Sequence, residues 1–89
     1  MALLMLENEA EAYNFLKDLC TPGELLDLAE RWQICQYLDK GMSYREIHTK
    51  VNASLTTIGR VARFLKDEPY HGYATLLDRW RTKMEKKNE

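Results

Sequence analysis

Residues that break helices are scarce in this chain: four glycines and two prolines among 89 residues. They sit where helices should end, and no segment of any length alternates polar and apolar residues with period two. A sheet is therefore not expected. Cysteine is equally sparse. With no secretory signal, Cys20 and Cys35 read as reduced, partly buried thiols of a cytosolic, cytoplasmic protein. The opening Met-Ala-Leu-Leu-Met-Leu is too short for a signal peptide and lacks a basic start. No stretch approaches the ~18 uncharged apolar residues of a membrane span, so no membrane partner is expected. Internal repeats and low-complexity runs are missing. So are a glycine-rich phosphate loop, a nucleophile elbow and an evident carboxylate pair, which argues against an enzyme. His48 and His71 lie in different elements, and neither is spaced with a cysteine or carboxylate as metal ligands are. No metal or cofactor is expected.

What remains is helical. A first helix is expected from about Glu7 to Cys20, with Ala12, Leu16, Leu19 and Cys20 on one face and Tyr13 and Phe15 flanking it. Thr21-Pro22-Gly23-Glu24 is a strong start signal: Thr21 caps, Pro22 takes the first helical position and Glu24 closes a capping box. This second helix should run to about Lys40, with Leu25, Leu28, Ala29, Trp32, Cys35 and Leu38 as its stripe and Gly41 as its stop. Residues 67–72, Asp-Glu-Pro-Tyr-His-Gly, break the chain again. A last helix follows over about Tyr73 to Lys86, carrying Tyr73, Leu77, Trp80 and Met84, and Asn88 and Glu89 should fray. The whole reads as one all-α domain over 1–89, a bundle of five to six helices.

Residues 43–66 carry the strongest functional signal. Ser43 can cap a short helix with Glu46 closing a capping box, and Ile47 and Val51 give that helix one buried stripe. Asn52 tolerates the left-handed conformation that a tight turn needs. Ser54 can cap a second helix whose inner face is Ile58, Val61, Ala62 and Leu65. Its outer face keeps Thr56, Thr57, Arg60, Arg63 and Lys66. This is the pattern of a helix-turn-helix, whose second helix enters the major groove of double-stranded DNA. Thr56 and Thr57 are poor helix formers, so a use beyond helix surface is expected of them.

Charge is distributed to match. The chain as a whole has a net charge of -1. Residues 1–41 hold three basic against eight acidic residues, while residues 42–66 hold five basic residues against Glu46 alone. Positive charge is thus gathered on the helix pair that would meet phosphates, and the acidic remainder would discourage indiscriminate DNA binding. A chain this short buries only ~60–65% of its unfolded surface. Its leucines and aromatics exceed what one thin helical layer hides, which favours a homodimer with Trp32 and Trp80 as anchors.

The order of Leu19-Cys20-Thr21-Pro22-Gly23-Glu24, a helix ending at Gly41-Met42-Ser43, Arg45-Glu46-Ile47 and Thr56-Thr57-Ile58-Gly59-Arg60 resembles the trp repressor superfamily. Asp18 to Thr21, Leu28 to Arg31, Asn52 to Ser54 and Thr56 to Val61 look more narrowly like its TrpR-like YerC/YecD family. The resemblance implies a bacterial transcription regulator, an interlocked dimer whose two helix-turn-helix units reach successive major grooves. It implies that Arg45 stands at the start of the helix pair to read a guanine edge. It also implies that Leu55, Thr56, Thr57, Gly59 and Arg60 lie along the second helix facing the groove. Arginine can grip O6 and N7 of guanine with two hydrogen bonds, and threonine offers a hydroxyl and a methyl.

The same resemblance places a remnant of an effector pocket at Thr21, Arg31, Arg60, Val61 and Phe64. Its polar half, two arginines and a hydroxyl, is retained. Its apolar half departs: Val61 stands where the family has a glycine against the indole, and Phe64 where a serine meets the amino group. Val61 and Phe64 are expected to plug the site, either fixing a binding-competent pose or admitting a smaller anionic effector, and tryptophan is not expected to bind. A second reading stays open, a helical protein-interaction module that has lost DNA binding.

Overall fold

The computed structural model describes residues 1–87, and the expectation for Asn88 and Glu89 lies outside them. A 3₁₀ turn, Ala2–Met5, precedes five helices: α1, Glu9–Leu19; α2, Pro22–Asp39; α3, Tyr44–Lys50; α4, Leu55–Lys66; and α5, Gly72–Lys87. No strand occurs among the described residues.

The caps explain the boundaries. Asn8 starts α1, its side-chain oxygen accepting from the Glu11 amide at 2.9 Å. That start lies a residue or two beyond the one expected, because an asparagine oxygen meets a free helix amide better than a glutamate inside the turn can. Thr21 and Glu24 form a reciprocal capping box at the start of α2, with Pro22 in the first turn. Gly41 stops the chain after α2 with φ +85, a conformation that a Cβ would strain.

α2 is the central strut, and α3, α4 and α5 pack around it. Ile34, Cys35, Ile47, Val51, Ala53, Ile58, Val61 and Leu77 form the core, with Trp32, Tyr37, Leu38, Met42, Leu65 and Tyr73 packed against it. The inner face expected of α4 is thus confirmed for Ile58, Val61 and Ala62, with Leu65 half-buried. Ile34 was not on the expected α2 stripe, yet it is wholly buried. α2 is enclosed by partners on more than one side, so a single stripe does not describe it. Cys35 is buried too, and burial pushes its thiol up to about 11, with the nearby Asp39 charge adding to the effect. It is a small core residue with little thiolate. A bidentate pair from Arg81 to Asp39, at 2.9 and 2.7 Å, ties α5 to the end of α2.

The N-terminal half is open. α1 has no fully buried residue. Leu19 and Leu28 of the expected stripes are 65% and 44% exposed, Leu26, outside them, is 71% exposed, and Trp80 is 37% exposed. Trp32 meets Trp80 edge-on with ring centroids 6.5 Å apart. Tyr13, Leu16, Cys20, Leu25, Leu26 and Leu28 line an apolar groove of about 800 Å³ between α1 and α2. The accessible surface is 7211 Å² for a mass of 10.5 kDa, where a closed monomer of that mass exposes ~5,400 Å². The radius of gyration, 14.4 Å, likewise exceeds the ~12 Å of a compact chain of this length.

Candidate nucleic-acid interface

α3 and α4 are held as one unit by the core beneath them. Ser43 and Glu46 form the expected capping box of α3. Ile47 is fully buried and Val51 nearly so. The turn between the helices does not use a left-handed Asn52, contrary to expectation. The non-glycine residue with positive φ among those described is His71, at +58. Val51 leaves α3 in an extended conformation, and the side chain of His48 closes the turn, its Nδ1 lying 2.7 Å from the Ala53 carbonyl oxygen. That bond places a proton on Nδ1. A side-chain tether thus supplies the turn that a backbone kink was expected to give. Ser54 then caps α4, accepting from the Thr57 amide at 3.1 Å.

The residues expected to read or contact DNA come together on this unit. Arg45 is exposed at the first turn of α3, and Leu55, Thr56, Arg60, Arg63 and Lys66 are exposed along α4. Thr57 is half-buried. It borders a small crevice with Asp27, Glu30 and Arg31 of α2, and its hydroxyl lies 3.1 Å from that of Ser54. Arg63 is partly engaged: its Nε lies 3.3 Å from Glu68 Oε1. In water such an exposed pair is weak and open to exchange for a phosphate.

Gly59 is half-buried in the middle of α4, and a methyl group added there would meet nothing within 4 Å. Gly59→Ala should therefore stabilise the free protein by about 0.5–1 kcal/mol, the usual helix-interior difference. If this position faces a groove, the same methyl should weaken DNA binding. A higher melting temperature with unchanged duplex affinity would show that Gly59 does not approach DNA.

Beside this face is a cavity of about 350 Å³ lined by Arg31, Arg60, Val61, Phe64, Tyr70, Gly72, Tyr73 and Leu76. Four of the five residues expected in an effector pocket meet there. Thr21 does not: it caps α2 instead. Val61 and Phe64 narrow the cavity without filling it. Phe64 stacks on Tyr70, with centroids 6.3 Å apart and planes at 12°. The guanidinium carbons of Arg60 and Arg63 lie 4.7 and 5.2 Å from the Phe64 ring centre. Burial raises the Tyr73 phenol above its ordinary range and the Cys35 thiol adds to the rise, while Arg31 and Arg60 pull it down. Sequence reasoning missed Tyr70, Tyr73 and Leu76. The available signal was a cluster of aromatics around the break at Pro69.

The described residues include no group of three or more His, Cys, Asp and Glu that could hold a metal ion, and no helix among them is long and apolar enough to cross a membrane.

The chain thus sets a capped helix pair, α3 and α4, on a helical support with a cavity behind α4. The chain belongs to the Trp repressor protein family, whose pattern it matches over residues 1–81. It is 41% identical over 64 residues to the uncharacterised protein YerC of Bacillus subtilis (strain 168), covering 72% of this chain and 62% of that protein. The chain thus spans a little under two thirds of the length of that curated relative. Its fold is similar to that of a TrpR-like protein from Eubacterium eligens ATCC 27750, with a TM-score of 0.82 and 37% identity over 89% of this chain and 80% of that one. A candidate Trp repressor from Staphylococcus aureus gives a TM-score of 0.83 and 39% identity over 90% of this chain and 79% of that one.

Proposed function

We propose that the chain is a dimeric, sequence-specific, DNA-binding transcription regulator of the bacterial cytoplasm. The observation that carries this reading is the exposure of Arg45, Thr56, Arg60, Arg63 and Lys66 on a capped helix pair, in a member of the Trp repressor family. Three of those cations stand on α4, whose opposite face is fixed in the core by Ile58, Val61 and Ala62. The recognition helix is therefore rigid before it meets a groove, and little ordering entropy is lost on binding. The dimer is supported by the apolar groove between α1 and α2 and by the surface excess of the protomer. Two reading units on one rigid body would meet half-sites about one helical turn apart.

Arg45→Ala and Arg60→Ala should each cost about 1–3 kcal/mol of target binding and relax preference at one base pair. Lys66→Ala should weaken all duplexes alike and flatten the salt dependence by about one unit of slope. Selection from a random duplex pool, followed by isotherms at several salt concentrations, measures both. Equal effects of the arginine variants on target and random DNA would overturn the base-reading role. Failure to enrich any duplex would favour a protein-interaction module instead, for which the exposed Leu55, at 54%, is the natural contact.

A further inference from the structure

We propose that Glu68 guards Arg63: its carboxylate holds the Arg63 guanidinium at the end of α4 and repels phosphates there, so that this cation is withheld from random duplex. Glu68 is thereby a specificity-determining residue. The proposal deepens the DNA-reading role given above, and only its operator arm rests on that role.

Two acidic residues, Asp67 and Glu68, follow the last turn of α4. This is the wrong end for them, because the free carbonyls of a helix C-terminus favour cations and disfavour carboxylates. Helix stability therefore does not account for their position. The chain around Glu68 is also pinned. The amides of Asp67 and Glu68 both donate to the Arg63 carbonyl oxygen, at 2.8 and 3.1 Å. Pro69 has a fixed φ, and Tyr70 beyond it stacks on Phe64 of α4. Between these two anchors Glu68 is half-buried, while Asp67 is exposed. Glu68 Oε1 lies 3.3 Å from Arg63 Nε.

Arg63 is confined from a second side. Its guanidinium carbon lies 5.2 Å from the centre of the Phe64 ring, an attraction that adds to the ion pair. Ring and carboxylate both restrain the side chain, so pairing loses less entropy than it would between two free surface groups. Arg45, Lys50, Arg60 and Lys66 form no salt bridge among the described residues, and neither does Asp67. One cation of the helix pair is thus neutralised while the others stay open.

The consequence is selectivity. Random duplex is held by phosphate contacts alone. A phosphate approaching Arg63 must displace Glu68 and then lies close to a carboxylate without a partner. On an operator, base contacts fix the helix in one register and supply free energy that drives the exchange. Glu68 therefore penalises random duplex more than operator. Such a repulsive element is a common means to specificity.

The test compares Glu68→Gln, Asp67→Asn, Arg63→Gln and the double variant Arg63→Gln/Glu68→Gln, each with its melt measured against wild type. Asp67→Asn removes the same charge one residue away and breaks no pair. Glu68→Gln should elute from heparin at higher salt than wild type. It should also bind a random duplex about 3–10-fold more tightly, with a salt slope steeper by about 0.9. Asp67→Asn should gain less than about twofold, since an exposed, unpaired charge is well screened. In the Arg63→Gln background the gain from Glu68→Gln should shrink to about that of Asp67→Asn, because no cation is left to release. Operator obtained by selection should gain less than random duplex, so the ratio of the two affinities narrows. Equal elution of Glu68→Gln and wild type, an equal gain from Asp67→Asn, or a gain undiminished without Arg63 would each overturn the guard. A gain on operator as large as that on random duplex would overturn its part in selectivity. If selection enriches no duplex, the DNA reading fails, and the heparin arm still decides whether Glu68 guards Arg63.

Discussion

Alanine at Ile58 should cost about 2–5 kcal/mol of folding stability, out of a total of roughly 5–15 for a domain of this size. Ile58 is wholly buried on the inner face of α4, in one cluster with Ile34 of α2 and Ile47 of α3. It joins the helix-turn-helix to its support. Small neighbours such as Ala53 and Ala62 cannot extend into the vacated space, so the cavity should persist and the cost should lie towards the upper end. The variant should melt well below wild type and lose all duplexes together, specific and random alike. Denaturant titration followed by circular dichroism measures the first effect. A loss under about 1 kcal/mol would mean that the site collapses around alanine and that Ile58 is no keystone.

If the chain forms the DNA-binding dimer proposed above, Leu26→Asp should separate its protomers and lower operator affinity by about 10²–10⁴-fold, the usual advantage of two linked binding events over one. Leu26 is 71% exposed on the protomer and lines the apolar groove between α1 and α2. On an isolated chain an aspartate there meets water and should change stability by no more than about 0.5 kcal/mol. Between two protomers it would place a charge in an apolar contact with no partner, which is strongly unfavourable. Light scattering should therefore show a dimer for wild type and a mass of 10.5 kDa for the variant. A single-chain mass for wild type at micromolar concentration, or an unaltered dimer for the variant, would remove this groove as the interface.

Much of the local architecture was legible because its determinants are local. Thr21 with Glu24, Ser43 with Glu46, and Ser54 before α4 each satisfy amides within one turn, and all three caps form as their spacing implies. Gly41 ends α2 for an equally local reason, its positive φ. The inner face of α4 was legible because only one side of that helix is covered, so its apolar residues fall at helical spacing. The cations and hydroxyls opposite them followed directly.

The rest depended on what lies far away in sequence. Ile34 escaped the stripe of α2 because a strut packed on several sides has no single apolar face. Asn52 has the right propensity for a left-handed turn, but the contact from His48 to the Ala53 carbonyl fixes a different path. Tyr70, Tyr73 and Leu76 join Arg31 and Arg60 around a cavity only because α5 folds back across α2 and α4. Spacing along one chain segment cannot state that distance. Caps, faces and the ordering of helices were therefore set by sequence alone, since they need only neighbours within a turn or two. The exposure of the α1–α2 leucines, the tether of the turn and the shape and charge of the cavity were decided by tertiary packing, which brings together groups that no local rule relates.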